Sequence, residues 1–228
     1  EFNGWGGKYV MPGDTHVAPW VAGAAGVPAW PQGYILEGGA IEVDGEGTVL
    51  TTRQCLLGGN RNPGLDEAGM NQLLCASLGV ERVIWLDRGL ANDHTDGHID
   101  TLARFVAPGV VVAMAPAPDD PNRDALEGII SDLRGATDAR GRRLEVVTVP
   151  SPGTVLDDNQ NLMPASYMNF YIGNHTVVVP TYRAAADDAA VAALAKLFPG
   201  RETVGADCWP VVVGGGGFHC TTQQEPTP

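Results

Sequence analysis

The sequence predicts an α/β fold built from repeated strand–strand–helix–strand (ββαβ) units. Segments of one pattern recur, and their turn centres near Glu46, Gly109 and Asn174 lie 63 and 65 residues apart. The chain also contains 30 Gly and 17 Pro residues, which suit the many tight turns that short strands need. A fixed period of this size is typical of stacked or ring-closed repeats. We therefore expect a single domain over residues 1–228. Its repeats are expected near 34–90, 96–150 and 164–206, with a final part at 207–228.

Each unit begins with a predicted β-hairpin. The three hairpins are AIEVDGEGTVLTT, RFVAPGVVVAM and NFYIGNHTVVVP, at residues 40–52, 104–114 and 169–180. In each of them a turn rich in Gly or Asn separates two apolar runs, which is the usual hairpin pattern.

A predicted helix follows each hairpin. The expected spans are Asp66–Leu78, Asp124–Leu133 and Ala184–Phe198. Gly79 follows the first span, Asn122 is a plausible N-cap for the second, and Pro199 stops the third. A further apolar run after each helix completes the unit.

Composition and charge exclude several classes of partner. The net charge is −13, and an acidic surface repels phosphate backbones, so we expect no nucleic acid partner. A small cationic ligand would suit this field. No stretch of 18 apolar residues is present, so we expect no membrane span. The four cysteines form no C-x-x-C pair, and free thiols in a reducing cytoplasm are the simplest interpretation.

Cys220 is the candidate nucleophile. It follows Gly214–Gly217, and a run of four glycines suits a place where backbone approaches a ligand closely. An accessible thiolate at such a place is a nucleophile. We expect Cys55, Cys75 and Cys208 to be structural, with Cys55 in a strand and Cys75 in a helix.

His98 is the candidate acid/base. It lies between Asp96 and Asp100 in D-G-H-I-D, and alternate residues of an extended segment share one face. An imidazole beside a carboxylate suits proton transfer and cation binding. A metal site of the H-x-D kind is the alternative, but too few further ligands have sensible spacing, so we expect no metal. His219 should point away from the thiol of Cys220, because side chains alternate on a strand.

Glu37 completes the candidate set. It ends an apolar run and precedes two glycines in L-E-G-G, just before the first strand of its hairpin. His98 and Asp100 occupy the corresponding place in the second repeat. Equivalent positions in a ring of repeats converge on one centre, so we expect these side chains to meet.

These segments carry a family resemblance. LEGG, DGEGT, TDGHID, PASYMNFYIGN and GGGGFHCTTQQEP, with FNGWGGKY at the start, resemble the agmatine deiminase family, which is grouped with the bacterial peptidyl-arginine deiminases. The resemblance covers essentially the whole chain in the right order. It implies a five-bladed α/β propeller of ββαβ units around a central pocket, the pentein fold.

The resemblance also implies roles for individual residues. Cys220 matches the nucleophile, His98 the acid/base, Asp100 a guanidinium-binding carboxylate and Glu37 the carboxylate beside His98. Substrate contacts are further expected from three residues, which are Asn169, Gly217 and Trp5. No metal or organic cofactor is implied.

The implied reaction is hydrolysis of a guanidino group through a covalent thiouronium on the cysteine. Agmatine, giving N-carbamoylputrescine and ammonia, is the expected substrate and small-molecule partner, in a cytoplasmic protein that could be a homo-oligomer. Peptidyl-arginine or free arginine as substrate, transfer of the amidino group to an amine, and an inactive truncated homologue are the alternatives.

The sequence departs from the family pattern at a few places. His94 stands where an acidic residue is common, and Thr101 where asparagine often follows the H-x-D motif. A second guanidinium-binding aspartate of the family lies upstream of the F-N-x-W-G-G stretch, where this chain begins. We therefore expect a deiminase domain that is N-terminally incomplete, with one blade or more, on the order of 100 residues, missing by repeat arithmetic.

Overall fold

Three small mixed sheets of identical topology form the framework of the computed structural model, which describes residues 1–225. The strands of the three sheets are β1 (Glu42–Val43), β2 (Thr48–Thr52) and β3 (Arg82–Leu86); β4 (Ala103–Ala107), β5 (Val110–Ala115) and β6 (Glu145–Pro150); and β7 (Tyr171–Ile172), β8 (Thr176–Thr181) and β9 (Glu202–Asp207). In each sheet the first two strands pair antiparallel and the third runs parallel to the second. The expectation of an α/β fold is confirmed.

Each parallel pair is joined by a helix, because parallel neighbours need a long crossover. The three crossover helices are α4 (Glu67–Leu78), α5 (Arg123–Gly135) and α6 (Asp187–Ala195). Shorter helices are α1 (Gly4–Gly7), α3 (Arg53–Leu56) and α7 (Trp209–Val212), and the remaining helix is α2 (Asp14–Ala25).

The first two crossover helices match their predicted bounds to within two residues, whereas the third is shorter, and local contacts decide how each helix begins. Asp66 caps α4 by accepting from the Gly69 N–H at 2.8 Å. Asn122 precedes α5, but its side chain accepts instead from the Ala91 N–H at 2.7 Å and so does not cap the helix. The third helix is shorter than expected, because the carboxylate of Asp187 binds the N–H groups of the loop before it.

The larger apolar core takes side chains from all three sheets, and a smaller one packs Trp85 of the first sheet against α3 and α4. The smaller cluster consists of Tyr34, Ala40, Cys55, Leu56, Met70, Leu74 and Trp85. Cys55 lies on the single-turn helix α3 rather than on a strand, so the predicted element was wrong, although the residue is fully buried. Helix α2 buries none of its residues. Within residues 1–225, every helix is too short or too polar to cross a bilayer.

Polar side chains join neighbouring sheets edge to edge. Glu42 on β1 accepts from the Phe105 N–H at 2.9 Å and from Arg104 Nε at 2.7 Å, which attaches the first sheet to the second. Ser166 donates to the Thr101 carbonyl at 2.6 Å and attaches the loop before β7 to the second sheet. These joints hold the loops that precede β1, β4 and β7 close together.

The segment after β9 differs from the preceding units. Its described part contains α7 and a 3-10 turn at His219–Thr221, with no strand between 208 and 225. The last three residues of the final part expected at 207–228 lie outside the described residues.

Candidate active site

Corresponding loops of the repeat supply the candidate side chains. Glu37 precedes β1, His98 and Asp100 precede β4, and Asn169 precedes β7. Cys220, on the 3-10 turn, completes the group. Polar contacts among these five residues link the loops before β1, β4 and β7 and the 3-10 turn. This geometry agrees with the expectation that equivalent loops converge.

The Cys220 sulfur faces an acid and an amide. Its Sγ lies 3.4 Å from Asp100 Oδ2 and accepts from Asn169 Nδ2 at 3.1 Å. The residue as a whole is exposed, as expected for a nucleophile. Desolvation of the sulfur and the charge of Asp100 raise the pKa of the thiol to about 12. The hydrogen bond from Asn169 lowers this pKa, but it does not outweigh the other two effects. At neutral pH and without a ligand, the sulfur is therefore a thiol.

Asp100 is fully buried, yet charged. Its Oδ2 accepts from His219 Nδ1 at 2.8 Å. Burial favours the neutral acid, but the His219 hydrogen bond and the nearby His98 and Arg104 hold its pKa below the usual carboxyl value. Its other oxygen, Oδ1, is buried and has no hydrogen-bond partner within residues 1–225. The site thus offers a buried negative charge with a free acceptor atom.

His98 is held opposite Glu37. Its Nε2 lies 3.7 Å from Glu37 Oε2, and among the described residues it makes no hydrogen bond. Both side chains are buried. Thr101, noted as a departure from the family pattern, donates its hydroxyl to the His98 carbonyl at 3.0 Å and stabilises the turn.

Arg61 is a buried partner of Glu37 that sequence reasoning missed. Arg61 Nε donates to Glu37 Oε1 at 2.8 Å, and Arg61 Nη1 donates to Asp96 Oδ2 at 3.0 Å. Burial opposes ionisation of Glu37, but His98 and Arg61 outweigh it and hold its pKa below the usual value. The N-R-N-P stretch around Arg61 gives no signal of burial, and only the structure shows that this arginine has the acidic partner that a buried arginine requires.

A glycine lets the acid and the imidazole approach each other. A Cβ at Gly39 would lie 2.6 Å from His98 Nδ1 and 2.7 Å from Asp100 Oδ2. Both distances are too short for real contacts. Gly39 therefore contributes to the site because it has no side chain to occupy this space. The double glycine of L-E-G-G is the feature of the sequence that indicates it.

We expect Gly39→Ala to lower turnover by about 100-fold, because displacement of catalytic groups by around 1 Å costs that much. Steady-state kinetics on the full-length natural protein measure it. Gly33→Ala is the matched control, since a Cβ at Gly33 meets no atom within 4 Å. Equal kinetics for the two variants would contradict the assignment.

Asn169 and Gly217 pack directly on one another, as expected for residues of one site. Asn169 Oδ1 accepts from the Cys220 N–H at 3.2 Å, so its amide binds both the backbone and the sulfur of that residue. A Cβ at Gly217 would lie 2.6 Å from Asn169 Oδ1. Glycine is thus required here for close approach, whereas Gly215 has a positive φ of 95° and packs against His94.

The prediction that His219 points away from the site was wrong. It assumed a strand, but His219–Thr221 is a 3-10 turn, in which successive side chains do not alternate between two faces. His219 Nδ1 therefore reaches Asp100 and orients its carboxylate.

Trp5 belongs to an aromatic cluster beside the site. Its ring packs edge-on against Phe2 and Tyr9, and the Tyr9 ring lies 6.2 Å from that of His94. Tyr9 and His94 also line an open cleft of about 510 Å³. The role of Trp5 in substrate binding stays a prediction.

One group of side chains has metal-ligating atoms close together. Ligand atoms of Glu37, Cys55 and His98 lie within 4.8 Å of one another. Arg61 already places a cation on Glu37, and burial raises the pKa of the Cys55 thiol well above its usual value. Both effects disfavour a second cation here.

Comparisons with known proteins agree on one family. The model of the Porphyromonas-type peptidyl-arginine deiminases matches residues 1–226. A Legionella pneumophila protein, provisionally named agmatine deiminase, is 40% identical over 98% of this chain and 65% of its own length. The agmatine deiminase of Pseudomonas fluorescens is 38% identical over 100% of this chain and 68% of its own length. This chain thus spans about two thirds of the length of these curated relatives.

The structure of this chain is also similar to solved structures of the same family. A structure of the agmatine deiminase of Enterococcus faecalis, described as catalysing its reaction, superposes with a TM-score of 0.93 at 36% identity. The match covers 99% of this chain and 68% of that one.

Proposed function

Because this chain belongs to the Porphyromonas-type peptidyl-arginine deiminase family, we propose that its site hydrolyses the guanidino group of agmatine to N-carbamoylputrescine and ammonia. The observation that carries the proposal is the free acceptor Asp100 Oδ1, buried in a carboxylate whose other oxygen lies 3.4 Å from the Cys220 sulfur. A guanidinium supplies what this arrangement lacks. Its N–H groups fit a carboxylate, and its central carbon is the electrophile that a thiolate attacks.

The substrate cation and the thiol fit each other electrostatically. Asp100 raises the pKa of Cys220, so a guanidinium bound to that carboxylate offsets the charge that disfavours the thiolate. The Cys220 thiol therefore gives up its proton to the surrounding water when the cation is in place, and stays protonated in the empty site.

The reaction then proceeds in two steps. The Cys220 thiolate forms a bond to the guanidino carbon, and His98 gives a proton to the departing nitrogen, which leaves as ammonia. A thiouronium remains on the sulfur. His98, now neutral, takes a proton from water as its oxygen attacks the same carbon, and the ureido product leaves the regenerated thiol. Glu37 orients the His98 ring, and Arg61 holds Glu37.

We further propose that the three ββαβ units are blades of a five-bladed α/β propeller. The candidate residues lie on equivalent loops of these units, which is what a central pocket requires. A structure of the full-length natural protein tests this through the rotation between successive sheets. The free cysteines suit a reducing compartment such as the cytoplasm.

The proposal is tested by ammonia release from agmatine, free arginine and a blocked arginine peptide, with the product identified by mass spectrometry. We expect the full-length natural protein to prefer agmatine and to give N-carbamoylputrescine. Preference for the peptide or for free arginine would overturn the substrate. Amidino transfer to an added amine, or no turnover of any of the three compounds, would overturn the reaction.

The raised thiol pKa gives a pH prediction that needs no substrate. Alkylation of Cys220 by iodoacetamide should still increase at pH 10, because with a pKa of about 12 the thiolate fraction rises roughly tenfold per pH unit up to that value. Asp100→Asn removes the negative charge and should speed the reaction at pH 8. Mass spectrometry of the Cys220 peptide measures both rates.

Cys75 is the internal control for this experiment. It lies half-buried on α4, and its alkylation should be the same in the wild type and in Asp100→Asn. A Cys220 profile that levels off below pH 9, or no acceleration in Asp100→Asn, would contradict the arrangement.

A further inference from the structure

Arg104 is a buried charge to which the proposed mechanism gives no role beyond its electrostatic effect on Asp100. It lies on β4, only 3% exposed, and its Nε forms an ion pair with Glu42 Oε2 at 2.7 Å. Glu42 belongs to the first sheet and Arg104 to the second. A buried arginine of this kind is costly unless its donors are satisfied, so the partners of its remaining N–H groups are informative.

Those remaining donors reach the third unit. Arg104 Nη1 donates to the Met168 carbonyl at 3.2 Å and to the Phe170 carbonyl at 2.9 Å. The guanidinium also lies over the Phe170 ring, 4.8 Å from its centre. One guanidinium thus fixes the backbone immediately before and immediately after Asn169.

Asn169 is in turn the residue that holds the nucleophile. Its Nδ2 donates to Cys220 Sγ at 3.1 Å, its Oδ1 accepts from the Cys220 N–H, and its carbonyl accepts from the His219 N–H at 3.1 Å. A small rotation of the 168–170 backbone would change all three contacts together.

We propose that Arg104, held by Glu42, is a positioning residue that fixes Asn169 in the geometry in which its amide donates to the Cys220 sulfur. The consequence for turnover rests on the proposed function. The geometry of the thiol itself does not, and it can be measured without substrate.

The expected effect on the thiol has a definite sign. The Asn169 amide N–H favours the thiolate of Cys220, whereas Asp100 disfavours it. Loss of the Asn169 bond therefore slows alkylation at a fixed pH. Four charged or titratable groups surround the sulfur, and substitution of Arg104 removes none of them. They are Asp100, His98, His219 and Tyr182.

Arg104→Lys is the informative variant, because lysine keeps the positive charge and loses the planar fork that spans Glu42 and two carbonyls. We expect alkylation of Cys220 at pH 8 to be roughly three- to tenfold slower than in the wild type, since a hydrogen bond to a charged group is weakened. Glu42→Gln, which releases the other end of the guanidinium, should slow it in the same direction. Turnover of agmatine should fall in kcat with KM nearly unchanged.

Arg142→Lys is the matched control. Arg142 also bridges the first and second units, through Glu46 and Asp138, and has no contact with the 168–170 backbone. Its substitution should leave Cys220 alkylation unchanged.

A double-mutant cycle decides how Arg104 acts. In an Asn169→Ala background, Arg104→Lys should slow alkylation no further, because the bond through which it acts is already gone. An equal slowing in both backgrounds, or none in either, would overturn the proposal. Since alkylation needs no substrate, this outcome stands even if the protein proves not to deiminate agmatine.

Discussion

Cys220→Ser is expected to abolish turnover without unfolding the protein. Serine is nearly isosteric, and its hydroxyl can keep the contacts with Asn169 and Asp100. Its pKa is far higher than that of a thiol, and oxygen leaves a carbon centre less readily than sulfur, so both formation and breakdown of the covalent intermediate fail. We expect a loss on the order of 10³-fold or more in kcat, as for other covalent nucleophiles.

The measurement is ammonia release by the full-length natural protein, with thermal unfolding recorded in parallel. Cys75→Ser is the matched control, because that half-buried thiol lies on the crossover helix α4 rather than on a loop of the candidate site, and its replacement should leave both quantities unchanged. A Cys220→Ser protein with more than a few per cent of wild-type activity would remove the residue from the mechanism.

The repeat made most of the framework predictable. Hairpins with their turns at Glu46, Gly109 and Asn174 are visible in the sequence because apolar runs alternate with glycine-rich turns, and the helices follow from capping residues such as Asp66. The bounds of α6 could not be predicted, because they depend on hydrogen bonds that the Asp187 carboxylate makes in the folded loop.

The candidate site could be predicted from the sequence where a reactive side chain marks it, and less so where the arrangement depends on the folded backbone. Cys220, His98 and Glu37 stand out because reactive side chains beside glycines are unusual. His219 was misplaced because its direction depends on a 3-10 turn that four preceding glycines make hard to foresee. Arg61 was missed since a lone arginine in a polar loop reads as a surface residue until its burial against Glu37 is known.

His98→Asn and Asp100→Asn are expected to differ in kind. In the proposed mechanism His98 moves protons in both steps, so its loss should lower kcat by about 10²- to 10⁴-fold, the usual contribution of an acid/base group, with KM little changed. The role proposed for Asp100 is to bind the cation, and loss of a hydrogen bond to a charged group costs about 1.5–3 kcal/mol, which is roughly a 10- to 150-fold rise in KM.

Asp100→Asn should change two measured quantities in opposite senses, which distinguishes a loss of substrate binding from a general distortion of the site. The same substitution that weakens agmatine binding should speed alkylation of Cys220, because the carboxylate raises the pKa of that thiol. A variant that merely distorts the site has no reason to do both. The two kinetic constants are measured over a range of agmatine concentrations, and alkylation is measured on the same preparation. If Asp100→Asn bound agmatine as tightly as the wild type, or if His98→Asn raised KM while sparing kcat, the roles given to these two residues would be wrong.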